Sequence, residues 1–150
     1  MGNLLSTQRN LETVQFFGSQ RCILPYRSTI NSSGFDLFLP VDVTIPPNSM
    51  KSINLEVGVI LPRSTVGLIK ARSSAALDGI IPLGGVIDPD FRRHLTLIVY
   101  NASSTPLHYE KHDSIAQLLV VPVLNCPSIF IGRNHTDNEH NGFGSTGHCN

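Results

Sequence analysis

Charge is scarce in this chain of 150 residues: Asp, Glu, Lys and Arg make up 15% of it, and 11 basic residues balance 11 acidic ones. No stretch gathers lysines and arginines among aromatic residues, so the electrostatic footprint of a nucleic-acid surface is missing and no nucleic-acid partner is expected. Cysteine is also sparse. Cys22, Cys126 and Cys149 are odd in number, far apart and form no C-x-x-C pair; neither a disulfide framework nor a zinc ribbon follows, and a reducing, intracellular compartment, cytoplasm or nucleus, fits best. No apolar run reaches membrane-spanning length, and the N-terminus lacks the basic and apolar regions of a secretory signal. Met1-Gly2-Asn3-Leu4-Leu5-Ser6 does match the pattern M-G-x-x-x-[ST], so a membrane contact is expected only if Gly2 is myristoylated. Without a secretion signal, the N-x-[ST] sequons at Asn31, Asn101 and Asn134 read as chance.

What is present is the material of one folded domain, with 41% hydrophobic residues in a length too short for two good cores. The segments 34–39, 52–61, 65–70, 95–101 and 114–123 are rich in Val, Ile, Leu and Phe and are bounded by Pro, Gly, Asn or Ser, the composition of strands. Turn signals at Pro46-Pro47-Asn48, Leu61-Pro62-Arg63 and Asn101 to Pro106 keep the connections short, which predicts an all-β sandwich or barrel. Only 73–77 has the makings of a helix, stopped by Gly79. The runs 95–100 and 115–123 are almost continuously apolar, so both faces of those strands are expected to be covered, the second by an oligomer partner. From Gly132 onward the chain turns polar and glycine-rich. The predicted organisation is a flexible N-terminal arm (1–20), a β-domain (21–131) and a mobile C-terminal arm (132–150).

Five short segments carry chemical groups: Ser33-Gly34-Phe35-Asp36-Leu37, Arg72-Ser73-Ser74, Gly85-Val86-Ile87-Asp88-Pro89-Asp90-Phe91-Arg92, Asp113-Ser114-Ile115-Ala116-Gln117-Leu118 and Gly142-Phe143-Gly144-Ser145-Thr146-Gly147. Asp88 ends an apolar strand beside a turn, where a carboxylate is rigidly placed, partly desolvated and fit to act as a general base. Asp36 stands at a strand start, where a carboxylate can hold the waters of a magnesium ion. Arg72-Ser73-Ser74 sets a guanidinium and hydroxyls at the helix start, a favourable place for phosphate. No G-x-x-x-x-G-K-[ST] sequence occurs, so phosphates are not held by a P-loop. The glycines of 142–147 instead let backbone fold around an anion, Ser145 and Thr146 add hydroxyls, and Phe143 can stack on a base.

In this order the five segments resemble the motifs of the trimeric dUTPases, from about Gly34 to Gly147. The resemblance implies a jelly-roll or β-barrel subunit of a homotrimer that hydrolyses dUTP to dUMP and pyrophosphate with Mg²⁺. It implies Asp88 as the base that activates water, Asp36 as a ligand of Mg²⁺ through water, and Arg72, Ser73, Ser74, Gln117, Gly144, Ser145 and Thr146 on the phosphates. It makes 79–87, with Gly85, Val86 and Ile87, a β-hairpin whose backbone reads uracil. Phe91, where the family usually has a tyrosine, comes under the deoxyribose, and the C-terminal arm becomes a lid over a site shared between subunits.

The chain also departs from the family. Arg93-His94 stands for a small glycine and its neighbour, His112-Asp113-Ser114 for a glycine-aspartate-arginine run, and Asn138 for an arginine that pairs with phosphate. These departures motivate an alternative reading, a catalytically weakened protein of this fold acting through protein-protein interaction. A deoxycytidine triphosphate deaminase would need a glutamate near the third segment, and the nearest, Glu110, lies outside it.

Overall fold

Strand-forming runs and turn residues alternate along the chain, and the computed structural model, which describes residues 13–132, turns that alternation into ten strands and one short helix. These are β1 (Gln15–Gly18), β2 (Gly34–Phe38), β3 (Val43–Ile45), β4 (Ser49–Ile60), β5 (Thr65–Ala71), α1 (Ser73–Leu77), β6 (Ile80–Leu83), β7 (Val86–Ile87), β8 (His94–Asn101), β9 (Leu107–Tyr109) and β10 (Ser114–Pro122). One antiparallel sheet has the order β1-β4-β8-β6 and a second the order β2-β10-β5-β7, with β3 and β9 forming a separate pair. Two four-stranded sheets closing on one core, with Leu37, Leu55, Val57, Leu95, Leu97 and Leu118 almost wholly inside, form the jelly-roll type of all-β subunit.

The run 95–100 is not covered on both sides within the chain. Its burial alternates strictly: Leu95, Leu97 and Val99 face the core while Thr96 and Ile98 face outward. The outer face nevertheless carries an apolar row, since Tyr100 stands between Met50 and Ile81, and Ile98 beside Leu83. Met50 is 66% and Ile81 47% exposed. An apolar patch of this kind marks a surface made to be covered.

Order begins inside the segment expected as an N-terminal arm. Gln15–Gly18 pairs with the far end of β4, Phe16 lying opposite Val59, and the Phe16 ring meets Phe35 edge-on at 5.2 Å. That aromatic contact across the end of the sandwich supplies the burial that ties β1 down.

The stretch 79–87 was expected as a hairpin, and the ladder corrects this: β6 pairs with β8 in one sheet and β7 with β5 in the other. Gly84 and Gly85, with φ of +65° and +82°, swing the chain from one sheet to the next, a path that L side chains follow only under strain. Gly85 also runs close to β5: Ile69 N–H donates to its carbonyl at 2.8 Å, and a Cβ at Gly85 would come within 2.9 Å of the Ile69 Cβ. Gly85→Ala is therefore expected to cost about 2 kcal/mol. Urea unfolding checks it as a lower midpoint at unchanged m-value.

Candidate active site

Asp36 is the buried carboxylate among the described residues, and its position follows from the sheet. β10 lies between β2 and β5, so Gln117 stands directly across from Asp36 on one side and Lys70 on the other. At the end of β5 the chain turns into α1, and Arg72, the residue preceding the helix, brings its guanidinium Nε to 3.4 Å from Asp36 Oδ1. Arg72 is held from the other side by its own N–H, which donates to the Ile115 carbonyl at 3.0 Å. Gln117 Nε2 donates to the Ala71 carbonyl at 3.3 Å, and its side chain folds over Gly34, where a Cβ would meet Gln117 Oε1 at 2.4 Å. Glycine at 34 is thus a requirement of close approach.

These groups surround a polar cavity of about 430 Å³, lined by Asp36, Arg72, Ser73, Ser74, Gln117 and Gly34 together with Ser28 and Ser32. A guanidinium, an amide and four hydroxyls around one carboxylate suit an anion of several oxygens accompanied by a cation. The first, second and fourth sequence segments therefore meet, as their order led one to expect. Ser28 and Ser32 were not anticipated. They arrive on the segment before β2, which is laid against the sheet by a bridge between Tyr26 and Asp36, Asp36 N–H donating to the Tyr26 carbonyl at 2.9 Å. The only trace of them in the sequence is a run of hydroxyl residues ahead of Gly34.

The helix start is braced from behind. Gly79, with φ of +99°, ends α1, and Tyr109 donates its hydroxyl to Asp78 at 3.1 Å. Burial, with the Asp78 bond adding to it, pushes the Tyr109 phenol above its ordinary pKa, so it remains a donor throughout the neutral range. His108 sits on β9, whereas His112 occupies the following turn with φ of +74°; they do not share a strand face.

Asp88 lies elsewhere. It opens a tight turn closed by Phe91 N–H donating to the Asp88 carbonyl at 3.0 Å, and Arg92 Nη1 ties the turn down by donating to the carbonyls of Pro89 at 2.8 Å and Phe91 at 2.9 Å. The rigid placement expected of Asp88 is present, but the partial desolvation is not: the residue is exposed in the single chain. Phe91 packs partly against the core, Ile87 is buried, and Val86 points largely to solvent. None of Gly85, Val86, Ile87, Asp88 or Phe91 lines the Asp36 cavity. Strand register explains why. Ile87 faces Gly67 on β5, while Arg72 follows the opposite end of that strand. At ~3.3 Å per residue the separation is about 16 Å. The base candidate and the phosphate-binding candidates occupy two ends of one subunit. Phe143, Gly144, Ser145, Thr146 and Asn138 lie outside the described residues, as does Gly2.

Comparison with known proteins gives this geometry its context. The family model described as dUTPase matches residues 20–147. The deoxyuridine 5'-triphosphate nucleotidohydrolase of Fowlpox virus is 34% identical over 138 residues, covering 86% of this chain and 92% of that protein. The enzyme of the same name from Cowpox virus is 33% identical over 131 residues, covering 86% and 88%. Among solved structures, the dUTPase of Staphylococcus bacteriophage 80alpha superposes with a TM-score of 0.74 at 22% identity, over 79% of this chain and 96% of that one, a likeness of fold. A match through nearly all of the β-domain, with the polar cavity and the Asp88 turn standing where the ordered segments put them, means that the chain belongs to the dUTPase family.

Proposed function

We propose that this chain is a dUTP diphosphatase: it hydrolyses dUTP to dUMP and pyrophosphate as a homotrimer whose sites are shared between subunits. The observation that carries this reading is the division of the site along β5, which puts the polar cavity and the Asp88 turn too far apart to serve one nucleotide within one chain. A second copy supplies the missing half, and the outward apolar row of Met50, Ile81, Leu83, Ile98 and Tyr100 gives the copies a surface to join by.

In the joined site Arg72, Ser73, Ser74 and Gln117 hold the phosphates, and 79–87 with Phe91 receives the base and sugar of the neighbouring half. The Asp88 carboxylate accepts a proton from a water whose oxygen bonds to the α-phosphorus, while the bond from that phosphorus to the bridging oxygen breaks and pyrophosphate leaves. Burial of Asp88 by the partner and by the C-terminal arm with Phe143, Gly144, Ser145 and Thr146 excludes other water. The cavity's donor set fits a magnesium ion, since a single carboxylate, Asp36, is what an ion that keeps most of its waters and takes phosphate oxygens requires. Once bound, Mg²⁺ would neutralise phosphate charge, with Asp36 holding its waters. The phage phi11 dUTPase has been solved as a protein coordinating a structural Mg(II) ion, and the 80alpha enzyme with dUpNHpp, which agrees with this assignment.

The test is pyrophosphate release from each deoxynucleoside triphosphate and from UTP with Mg²⁺. Turnover of dUTP is expected to exceed that of dTTP, dCTP and UTP by at least about a hundredfold, because buried polar groups left unpaired by the wrong base are heavily penalised. Equal turnover of all, or of none, would reject the reading. Light scattering should give three times the 16.4 kDa of one chain.

A further inference from the structure

Asp36 has two oxygens, and they are held by different parts of the chain. Oδ1 faces Arg72 Nε at 3.4 Å, while Oδ2 accepts from Ser28 Oγ at 2.7 Å. The second contact is short and charge-assisted, the stronger kind of hydrogen bond. Ser28 lies outside all five motif segments and is itself exposed, so it has no packing role. Its place beside the carboxylate is fixed by the backbone bridge from Tyr26 to Asp36, and beyond it the chain is closed into a small turn by Ser32 N–H donating to the Thr29 carbonyl at 3.1 Å. The loop thus presents one hydroxyl at a defined point of the cavity wall.

We propose that Ser28 is a positioning residue for the phosphate and cation end of the site. By occupying Oδ2 it fixes the rotation of the Asp36 carboxylate, so that this group meets Arg72 through Nε alone. A carboxylate free to turn would take the guanidinium end-on through both Nη atoms, the geometry that an arginine fork prefers, and would remove those donors from the phosphates. With Ser28 in place, Nη1 reaches only the Ser114 carbonyl, at a long 3.5 Å. The remaining lone pairs of Asp36 keep a set direction toward the cavity, as a group that must hold the waters of a cation requires.

This inference rests on the dUTPase reading, and the experiment separates the two. Binding of dUpNHpp with Mg²⁺ and binding of dUMP are measured by titration calorimetry for the wild-type chain, Ser28→Ala and Ser28→Thr, alongside pyrophosphate release from dUTP. For Ser28→Ala the Kd for dUpNHpp is expected to rise about fivefold, the effect of losing one charge-assisted bond that acts through another residue. Affinity for dUMP, which lacks the β- and γ-phosphates, is expected to stay the same, and Ser28→Thr, which keeps the hydroxyl, to bind like wild type. Unchanged dUpNHpp affinity in Ser28→Ala would overturn the proposal. So would equal weakening of dUMP, which would mark a merely structural role, or a failure of threonine to restore binding. A wild-type chain that binds dUpNHpp but releases no pyrophosphate from dUTP would sink the enzyme reading and leave Ser28 standing; one that binds neither would sink both.

Discussion

Asp88→Asn is expected to lower kcat for dUTP by about a hundred- to ten-thousandfold, the range lost when a general base is removed, with KM almost unchanged. The amide keeps the size of the carboxylate and the turn closed by Phe91 and Arg92, so the nucleotide still binds; only acceptance of the water proton is lost, and with it an interaction made in the transition state. Arg72→Ala should also be nearly inactive, for a different reason, since it removes the guanidinium from the phosphates. The division of the site along β5 then makes a sharper claim. If each site takes Asp88 from one subunit and Arg72 from another, trimers assembled from equal amounts of the two dead variants contain some sites with both groups intact. Random assembly restores about a quarter of the wild-type sites. Unfolding and refolding the variants together, then measuring pyrophosphate release, reads this directly. No recovery on mixing would mean that one chain builds the whole site and that the distance across β5 is closed by movement within it.

Much of this architecture was legible from composition, and the failures have a common cause. The strands seen in advance, β2, β4, β5, β8 and β10, are runs of at least five residues that the core selects for apolar character. β1, β3, β6, β7 and β9 are two to four residues long, too short for a period to show. The run 95–100 looked covered on both faces because a subunit surface made to be covered has the composition of a core; the sequence does not say whether the cover is the same chain or another copy. In the site, Asp36, Arg72 and Gln117 could be grouped from the order of their segments, yet nothing in that order told that Asp88 would be some 16 Å from Arg72. That fact belongs to strand register, which puts Ile87 opposite Gly67. Ser28 stayed hidden because a hydroxyl in a loop carries no pattern until a bridge such as that between Tyr26 and Asp36 sets it against a carboxylate.

The largest loss of stability is expected not at the site but at Asn101, which the sequence marked only as the opening of a sequon. Its side chain is wholly buried. Nδ2 donates to the carbonyls of Ile45 at 3.0 Å, Pro46 at 3.2 Å and Thr105 at 2.8 Å, and Oδ1 accepts from Ser103 N–H at 2.9 Å and Ser103 Oγ at 2.7 Å. One amide thereby joins the turn between β3 and β4 to the turn after β8, and an amide so committed is no acceptor for a glycan. In Asn101→Ala the Ile45 carbonyl and the Ser103 N–H lose their side-chain partner in a place water reaches poorly, at about 1–3 kcal/mol for each such group, so about 3–5 kcal/mol is expected to be lost in all. For a domain of this size that is a large part of the whole, and it should appear as a strongly reduced urea midpoint. Asn101→Asp sharpens the test through its sign. An ionised carboxyl would set negative oxygen against three carbonyls, so the folded state favours the protonated form and raises the pKa of the introduced group above its unfolded value. Protons are then bound more by the folded chain, and stability falls as pH rises through that window. Asn101→Asp is expected to be nearest to wild type in acid and to lose stability steadily toward neutrality, whereas Asn101→Ala should be destabilised by a similar amount at every pH. A pH-independent deficit in both variants would mean that the three carbonyls are rescued by water and that the network is less closed than its distances imply.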